Sequence, residues 1–331
     1  MVLLSSLHMR AISDMPGSND VRFPNRMHRP DTVDLRIMKE IGTPQSMQWN
    51  VRESYVSIAK RVGVDEETVR KRIKRQEKLG AIQGWRAVIH PNLVGCVDAY
   101  VDLEASNIDR KEEILSQLKL IDGVIVITSF EGKGLFVMFY TEPGEALTRK
   151  VQLICSICET RDFTTLNSYL PPCDLKLSAT DWKIIWAIRD EPRKNLSEVA
   201  KEARVTTRTV NRRLTLLTER RAFFLMGLPN FRQLVGTTGN FLIFCSDEER
   251  GRSSVAKSII SRFENTAFAA VMRSVIMCNI FFHNLSEAEQ AYEWIKSLEE
   301  VRRVRMRIMK DLIFVEDWLD YQMKKRFSEA Q

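Results

Sequence analysis

The 331-residue sequence predicts an α+β protein in which two winged helix-turn-helix domains alternate with two ferredoxin-like (βαββαβ) domains. Three observations favour this fold class: a repeat at a fixed offset, a helix-turn-helix pattern in each copy, and alternating strand and helix patterns after each of them. With 44% hydrophobic and 28% charged residues, the composition is typical of a folded chain long enough for two or more cores.

The repeat is seen in three pairs of segments that share one offset. IAKRVGV from Ile58 returns as VAKEARV from Val199, an offset of 141 residues, and TVRKRI and LVG return at the same distance as TVNRRL and LVG. Upstream, VDLRIMKEI from Val33 corresponds to TDWKIIWAI from Thr180, so the first copy has six additional residues near TPQSMQ. The double proline of LPPCD marks the boundary between the copies, because proline cannot continue a helix or a central strand.

These patterns divide the chain into six predicted segments. They are a flexible arm at 1–30, a winged helix-turn-helix domain at 31–92, a ferredoxin-like domain at 93–172, a second winged helix-turn-helix domain at 173–232, a second ferredoxin-like domain at 233–312 and a terminal helix at 313–331. The arm is predicted from its proline, glycine and asparagine breaks, and Met9, Met15 and Met27 leave the translation start open.

The first helix-turn-helix unit is predicted from its turn and cap residues. A short helix follows the capping residue Asp31, a second helix spans Val56–Arg61, and Gly63 supplies the turn. The third helix starts at the N-cap Asp65 and buries an apolar edge. The following AIQGWRAVIHP predicts a strand-turn-strand wing with its turn at Gly84.

The polar face of the third helix indicates a partner with negative charge. The chain carries a net charge of +7, and its basic residues are dense on this helix. An isolated charged helix face is often only solvated, but a turn glycine, a capped basic helix and a predicted hairpin that recur together favour double-stranded DNA. The predicted DNA-binding residues are Glu67, Thr68, Arg70, Lys71, Lys74, Arg75 and Arg86 in the first copy and Thr207, Arg208, Asn211 and Arg212 in the second.

Each helix-turn-helix unit precedes a βαββαβ pattern. In the first copy, CVDAYVDLEA, GVIVITSF, GLFVMFY and RDFTTLNSY are predicted strands, and Asp109–Leu120 and Glu145–Cys158 are predicted helices. In the second copy, GNFLIFCS, AFAAVM, SVIMCNIFFHN and VRRVRMRIM are the strands, and helices lie near Ser253–Phe263 and Ser286–Leu298.

The segment SYVSIAKRVGVDEETVRKRIKRQEKLGAIQGWRAVIHPNLVG resembles the DNA-binding half of the Lrp/AsnC transcription regulators. That family has a short helix followed by I-A-x-x-x-G, T-V-x-x-R-I and G-x-I, and the second copy matches it more loosely. The resemblance implies a sequence-specific, DNA-binding regulator of transcription. It also implies self-association through the ferredoxin-like domains and a pocket for an amino-acid effector.

The effector pocket is where this chain departs from the family. The family's G-x-Y-D turn corresponds here to FEGKGLF, with Lys133 and Gly134 at the Tyr and Asp positions, and to VMRSVIM in the second copy. A small amino acid needs groups that bind its ammonium and carboxylate, so we expect no such effector.

The second helix-turn-helix unit departs from the pattern too. Arg204 and Arg221 replace Gly63 and Gly80, at a cost of about 1 kcal/mol each if the left-handed geometry is kept. We therefore expect the first copy to dominate DNA binding. Arg72 and the corresponding Arg213 are left open as either structural bridges or DNA contacts.

Two other functions are alternatives to DNA binding. A branch that resembles this family contains siroheme decarboxylases, but the four histidines His8, His28, His90 and His283 are scattered and no arginine–histidine cluster suits a porphyrin. An architectural or co-regulator protein is the other alternative. We expect no enzyme activity and no cofactor.

The apolar runs and the cysteines of the sequence bear on the cellular compartment of the protein. No apolar run is long enough for a membrane span or a secretory signal, so the chain is expected to be cytoplasmic with reduced thiols. Cys155 and Cys158 form one CxxC within a predicted helix, for which packing is favoured over a metal or redox role.

Overall fold

The computed structural model describes residues 27–42, 48–167, 170–246, 249–272 and 275–329. The first half comprises α1 (Thr32–Gly42), α2 (Tyr55–Val62), α3 (Glu66–Lys78), β1 (Ile82–Ile89), a short 3-10 turn (Pro91–Val94), β2 (Val97–Glu104), α4 (Lys111–Leu118), β3 (Val124–Phe130), β4 (Gly134–Thr141), α5 (Glu145–Ile157) and β5 (Phe163–Asn167). These are three helices and a linking strand followed by a βαββαβ unit.

The second half has the same order of elements. It comprises α6 (Ala179–Ile188), α7 (Leu196–Ala203), α8 (Thr207–Glu219), β6 (Phe223–Pro229), a 3-10 turn (Phe231–Gln233), β7 (Thr237–Cys245), α9 (Glu249–Arg262), β8 (Thr266–Val271), β9 (Val275–Phe282), α10 (Leu285–Lys296) and β10 (Val301–Phe314), with α11 (Asp317–Glu329) after it. The α+β class, with helix-turn-helix and ferredoxin-like parts, is confirmed. No helix of the described ranges is long and apolar enough to cross a membrane.

The predicted turn at Gly84 is wrong. β1 runs unbroken from Ile82 to Ile89, with only a register shift near Gly84. Its partner is β6 of the second half, to which it pairs antiparallel, so no hairpin wing forms from AIQGWRAVIHP. Strand pairing to a distant segment overrides the local turn preference of glycine.

One eight-stranded sheet contains both ferredoxin-like units. Its order is β5-β2-β4-β3-β10-β7-β9-β8, so each unit keeps the 4-1-3-2 order and β10 joins them by pairing with β7 and then with β3. β5, in contrast, ends at Asn167. Pro171 and Pro172 follow shortly after it, and because proline lacks a backbone N–H it cannot continue a strand ladder.

The sheet is covered differently on its two sides. Leu103, Val137 and Ile154 belong to a core shared with α4 and α5, and Ile243 and Ile295 belong to a corresponding core with α9 and α10. A third and larger core is common to both halves and includes the second helix-turn-helix unit. The first helix-turn-helix unit has a small core of its own, which holds the predicted apolar residues Val69 and Ile73.

The end of the predicted flexible arm is ordered. His28 is buried, its backbone N–H donates to Gln233 O over 2.7 Å, and its carbonyl accepts from Val235 N over 2.8 Å. Residues 27–30 therefore lie against the second half of the chain, while the rest of the arm, 1–26, lies outside the described residues.

Candidate functional site

The first helix-turn-helix unit has N-caps on α2 and α3, and the cap on α3 is the predicted Asp65. The Asp65 carboxylate accepts from Thr68 N over 2.7 Å at the start of α3, and Ser54 caps α2 through Ser57 N over 3.1 Å. Gly63, between the two helices, has φ 79°, in the left-handed region that glycine adopts without strain. These local interactions orient α3 against α2.

The second unit keeps the same geometry with less suitable residues. Thr206 caps α8 through Thr209 N over 3.1 Å. Arg204 and Arg221, which replace glycines, both have φ 56°. The left-handed conformation is therefore retained by side chains that disfavour it.

The exposed face of α3 is basic but partly neutralised. Arg70 forms an ion pair with Glu66 and lies 3.8 Å from Glu67, and Lys71 lies 3.5 Å from the same Glu67. Lys74 and Arg75 are exposed, with no hydrogen bond or ion pair to any described residue. Thr68 hydrogen-bonds to Asp65 and thereby supports the cap.

The exposed face of α8 is not neutralised in this way. Thr207, Arg208, Asn211 and Arg212 are all exposed, and their side chains make no hydrogen bond or ion pair within the part of the chain that the structure describes. The first turn of α8 also carries no acidic residue, whereas that of α3 carries two. Donors without internal partners are available to phosphate and base acceptors.

The open question about Arg72 and Arg213 has a structural answer. Arg72 pairs with Asp31 and lies 3.2 Å from buried Asp34, and Arg213 donates from Nε to buried Asp181 over 2.5 Å. Both arginines therefore bridge the third helix of their unit to its first helix.

Arg86 lies away from α3 and α8, the third helices of the two units, which are called the recognition helices below. Its Nε is 3.6 Å from Asp190 and 3.5 Å from Glu316, and its guanidinium lies over the Phe314 ring at 5.8 Å. It lines a cleft of about 400 Å³ together with Phe231 of the 3-10 turn and residues of β6 and β10. Its predicted place on a wing depended on a hairpin that does not form.

The two helix-turn-helix units are joined by a reciprocal strand pair. Trp85 lies opposite Gly227 and Arg86 opposite Met226. At the repeat offset of 141, Trp85 corresponds to Met226 and Arg86 to Gly227, so exchanging the halves reproduces the pairing. An approximate two-fold axis through this pair therefore relates α3 to α8, as in an isologous dimer interface.

Four charged residues meet at a place that sequence reasoning missed. Arg305 and Arg307 of β10 both pair with Asp102 of β2, which is 1% exposed, and Arg307 also reaches Glu104 over 3.3 Å. The Arg307 side chain lies against Gly134, where a Cβ would come within 2.8 Å of Cδ. The run of arginines in VRRVRMRIM was the available signal, but the partner is 203 residues away.

The predicted effector turns are only partly described. Lys133 Nζ donates to Ser106 O over 2.9 Å, and Gly134 is covered by Arg307. The second turn contains Arg273 and Ser274, which lie outside the described residues. The absence of an amino-acid effector stays a prediction.

His90 and the CxxC cysteines Cys155 and Cys158 are buried. His90 is buried, its Nε2 is 2.9 Å from Pro171 O, and burial lowers its pKa. Cys155 and Cys158 both pack in the α4–α5 core, and burial raises the pKa of Cys158 to about 12. Such thiols are poor nucleophiles and poor metal ligands at neutral pH.

Comparison with known proteins points to the second helix-turn-helix unit. A family model described as winged helix-turn-helix DNA-binding matches residues 177–220, from just before α6 to the end of α8. The HTH-type transcriptional regulator Ptr1 of Methanocaldococcus jannaschii is 32% identical over 104 residues, which are 31% of this chain and 66% of that protein. The leucine-responsive regulatory protein of Haemophilus influenzae is 34% identical over 64 residues, 19% of this chain and 35% of its own. The chain thus spans less than two thirds of the length of either relative.

A solved structure is similar over nearly the whole chain. The crystal structure of the siroheme decarboxylase NirDL superposes with a TM-score of 0.53 and 16% identity, covering 91% of this chain and 98% of that one. At this identity the likeness concerns the fold alone.

Proposed function

We propose that this chain, which belongs to the Lrp/AsnC family, is a regulator of transcription that binds double-stranded DNA through α3 and α8. One of the two relatives is named as a transcriptional regulator and the other as a leucine-responsive regulatory protein, which supports the assignment. The roles of individual residues below are part of the proposal.

The observation that carries the proposal is the exposed face of α8. Arg208 and Arg212 are cations without internal partners, and Thr207 and Asn211 stand beside them on a helix whose N-cap is satisfied. An arginine suits phosphate or guanine, and an asparagine suits the N6 and N7 edge of adenine. The region matched by the winged helix-turn-helix DNA-binding model includes this helix.

The two recognition helices would prefer a pair of unlike half-sites. α3 offers Arg70 and Lys71 at positions where α8 offers Asn211 and Arg212. Because an approximate two-fold axis relates the helices, they can face successive major grooves about 10 base pairs apart, but with different contacts. The proposed target is therefore an asymmetric site rather than a palindrome.

Selection from a random duplex library tests the function. The full chain is expected to enrich one sequence class, and Arg208→Ala with Arg212→Ala should weaken binding to that class at least about tenfold. Arg149→Ala with Lys257→Ala removes the same charge from exposed positions on α5 and α9 and should leave affinity within about twofold. Failure to enrich any sequence, with no binding to duplex DNA, would reject the proposal.

The siroheme decarboxylase architecture supplies a second candidate because it matches both halves of the chain. A tetrapyrrole bears several carboxylates and needs unpaired cations, yet Arg305 and Arg307 are already paired with Asp102. We therefore propose that the chain is not a decarboxylase. An absorption spectrum with added siroheme should show no shift of the Soret band, and a saturable shift would favour the enzyme instead.

A further inference from the structure

The loops before α2 and α7 hold each other by exchanged arginines. Arg52 Nη1 donates to Pro192 O over 2.6 Å and to Lys194 O over 2.7 Å. Arg193 Nη2 donates back to Glu53 O over 2.6 Å. Each guanidinium therefore satisfies carbonyl groups of the opposite helix-turn-helix unit.

The exchange is reciprocal in the same sense as the β1–β6 pair. At the repeat offset of 141, Arg52 corresponds to Arg193 and Glu53 to Lys194, so the bonds Arg52 to Lys194 O and Arg193 to Glu53 O are mates. Burial lowers the pKa of both guanidiniums, and each is held near the other although like charges repel. Charge-assisted bonds from these partly buried guanidiniums are costly to break, because the donors would be left unpaired at a partly desolvated place.

The Tyr55 ring connects the arginine exchange to α3, the first recognition helix. Arg193 Cζ lies 4.3 Å from the Tyr55 ring centroid, and Arg70 Cζ of α3 lies 5.2 Å from the same centroid. Tyr55 is the first residue of α2, which packs directly against α3. A displacement of the second unit would therefore be transmitted to α3 through this stack.

The arginine exchange adds to other contacts that join the units: the β1–β6 ladder, and the backbone bonds from Ala87 N to Arg189 O over 2.8 Å and from Leu225 N to Gln48 O over 2.7 Å. The ladder by itself would let the two helix-turn-helix units rotate relative to each other about the ladder axis, because a two-stranded ribbon is readily twisted. The arginine exchange lies away from the ladder and, together with those backbone bonds, restricts that motion. The loops that carry the exchange stand immediately before α2 and α7, where a small rotation becomes a large change in the separation of the helices that follow.

We propose that Arg52 and Arg193 are positioning residues that set the separation and orientation of α3 and α8, and with them the half-site spacing that the protein accepts on DNA. The inference rests on the proposed function. When α3 and α8 are held rigidly, the protein gains affinity from both half-sites only if the half-site spacing on the DNA matches the separation of the two helices. This gain is lost when the geometry prevents both helices from binding at once.

The test is a series of duplexes made from the site selected by the full chain, with zero to six base pairs inserted between the half-sites. For the wild-type chain, an insertion of about five base pairs turns one half-site to the opposite face and should lower affinity about 100-fold. In Arg52→Ala and Arg193→Ala the same insertion should cost about tenfold or less, while affinity for an isolated half-site stays within about twofold.

Controls separate positioning from a general loss of structure. Arg149→Ala removes an exposed cation on α5 and should keep the wild-type spacing profile. Arg52→Lys keeps the charge but replaces a planar guanidinium, whose Nη1 serves both carbonyls, by an ammonium on a flexible stem, so it should broaden the profile even if the alanine variant fails to fold. Circular dichroism monitors the fold. Unchanged spacing selectivity in folded Arg52→Lys and Arg193→Ala, or a wild-type chain indifferent to spacing, would overturn the inference while leaving DNA binding intact. A chain that binds no duplex would instead overturn the proposed function.

Discussion

Arg213 and Asp181 form an ion pair that joins α8 to α6, with Arg213 Nε donating to Asp181 Oδ1 over 2.5 Å. The Asp181 side chain is fully buried and also accepts from Ser178, within the capping box of α6. Arg72 has the corresponding position in the first unit, where it pairs with Asp31 and Asp34. The recognition helices are therefore held in place by arginines that are not available to DNA.

Arg213→Leu is expected to lower the free energy of unfolding by about 3 kcal/mol, because the buried carboxylate loses its counter-charge. Chemical denaturation followed by tryptophan fluorescence measures the change. Arg212→Leu, at the exposed neighbouring position, serves as the control and should change stability by less than about 0.5 kcal/mol. Equal effects of the two substitutions would contradict a structural role for Arg213.

Acid denaturation tests the same pair. Burial by itself would raise the pKa of Asp181, but Arg213 and Ser178 bind the carboxylate and hold its pKa below the ordinary value of 3.8. A depressed folded-state pKa means that the stabilisation is complete above pH 3.8 and is lost as the pH falls through the folded-state pKa. Asp181→Asn should therefore be less stable than wild type at neutral pH, with the difference shrinking below that window.

Arg204→Gly and Arg221→Gly should each stabilise the chain by about 1 kcal/mol, because both positions have φ 56° and glycine adopts this conformation without strain. Thermal melting measures the gain. Arg220→Gly is the matched control: its φ is −89°, so the same change there should be neutral or destabilising. A loss of stability in both glycine variants would mean that the contacts of the Arg204 and Arg221 side chains stabilise the chain by more than the left-handed backbone conformation destabilises it.

Much of the local structure was predictable because it depends on residues close in sequence. Asp65 caps α3 and Gly63 makes the turn, and both follow from the preferences of those residues. The continuity of β1 was missed, because it depends on pairing with a strand about 140 residues away, and pattern alone contains no such information. The exchange between Arg52 and Arg193 was missed for the same reason.

The twenty amino acids, each at millimolar concentration, should leave the melting temperature of the chain unchanged. Lys133 bonds to Ser106 O and Gly134 is covered by Arg307, so the two positions that correspond to the family's Tyr and Asp offer no free polar side chain to a ligand. Differential scanning fluorimetry provides the measurement, in which a ligand present at 100 times its Kd would add about 2.7 kcal/mol. A reproducible, saturable stabilisation by any one amino acid would show that an effector pocket exists.

Double variants can test which of the two recognition helices, α3 or α8, contributes more to DNA affinity. The sequence-based expectation favoured the first copy, but Arg70 and Lys71 are paired with Glu66 and Glu67, whose carboxylates repel phosphate. We therefore expect Arg208→Ala with Asn211→Ala to lose more affinity than Arg70→Ala with Lys71→Ala, at about 1–3 kcal/mol per base-reading contact. Gel shifts on the selected site, at a defined oligomeric state, compare the two. A larger loss of affinity in the Arg70→Ala with Lys71→Ala variant would instead support the expectation from the sequence that the first copy dominates DNA binding.

The salt dependence of binding to the selected duplex tests the central claim most directly. If the exposed cations of α3 and α8 neutralise phosphates, the wild-type affinity should fall at least about tenfold between 50 and 200 mM salt. Removing Arg208 and Arg212 should lower the magnitude of the slope of log K against log salt by about one for each of the two that contacts a phosphate, while the Arg149→Ala and Lys257→Ala control keeps the slope. An affinity indifferent to salt, or a slope unchanged by loss of the α8 arginines, would contradict the account.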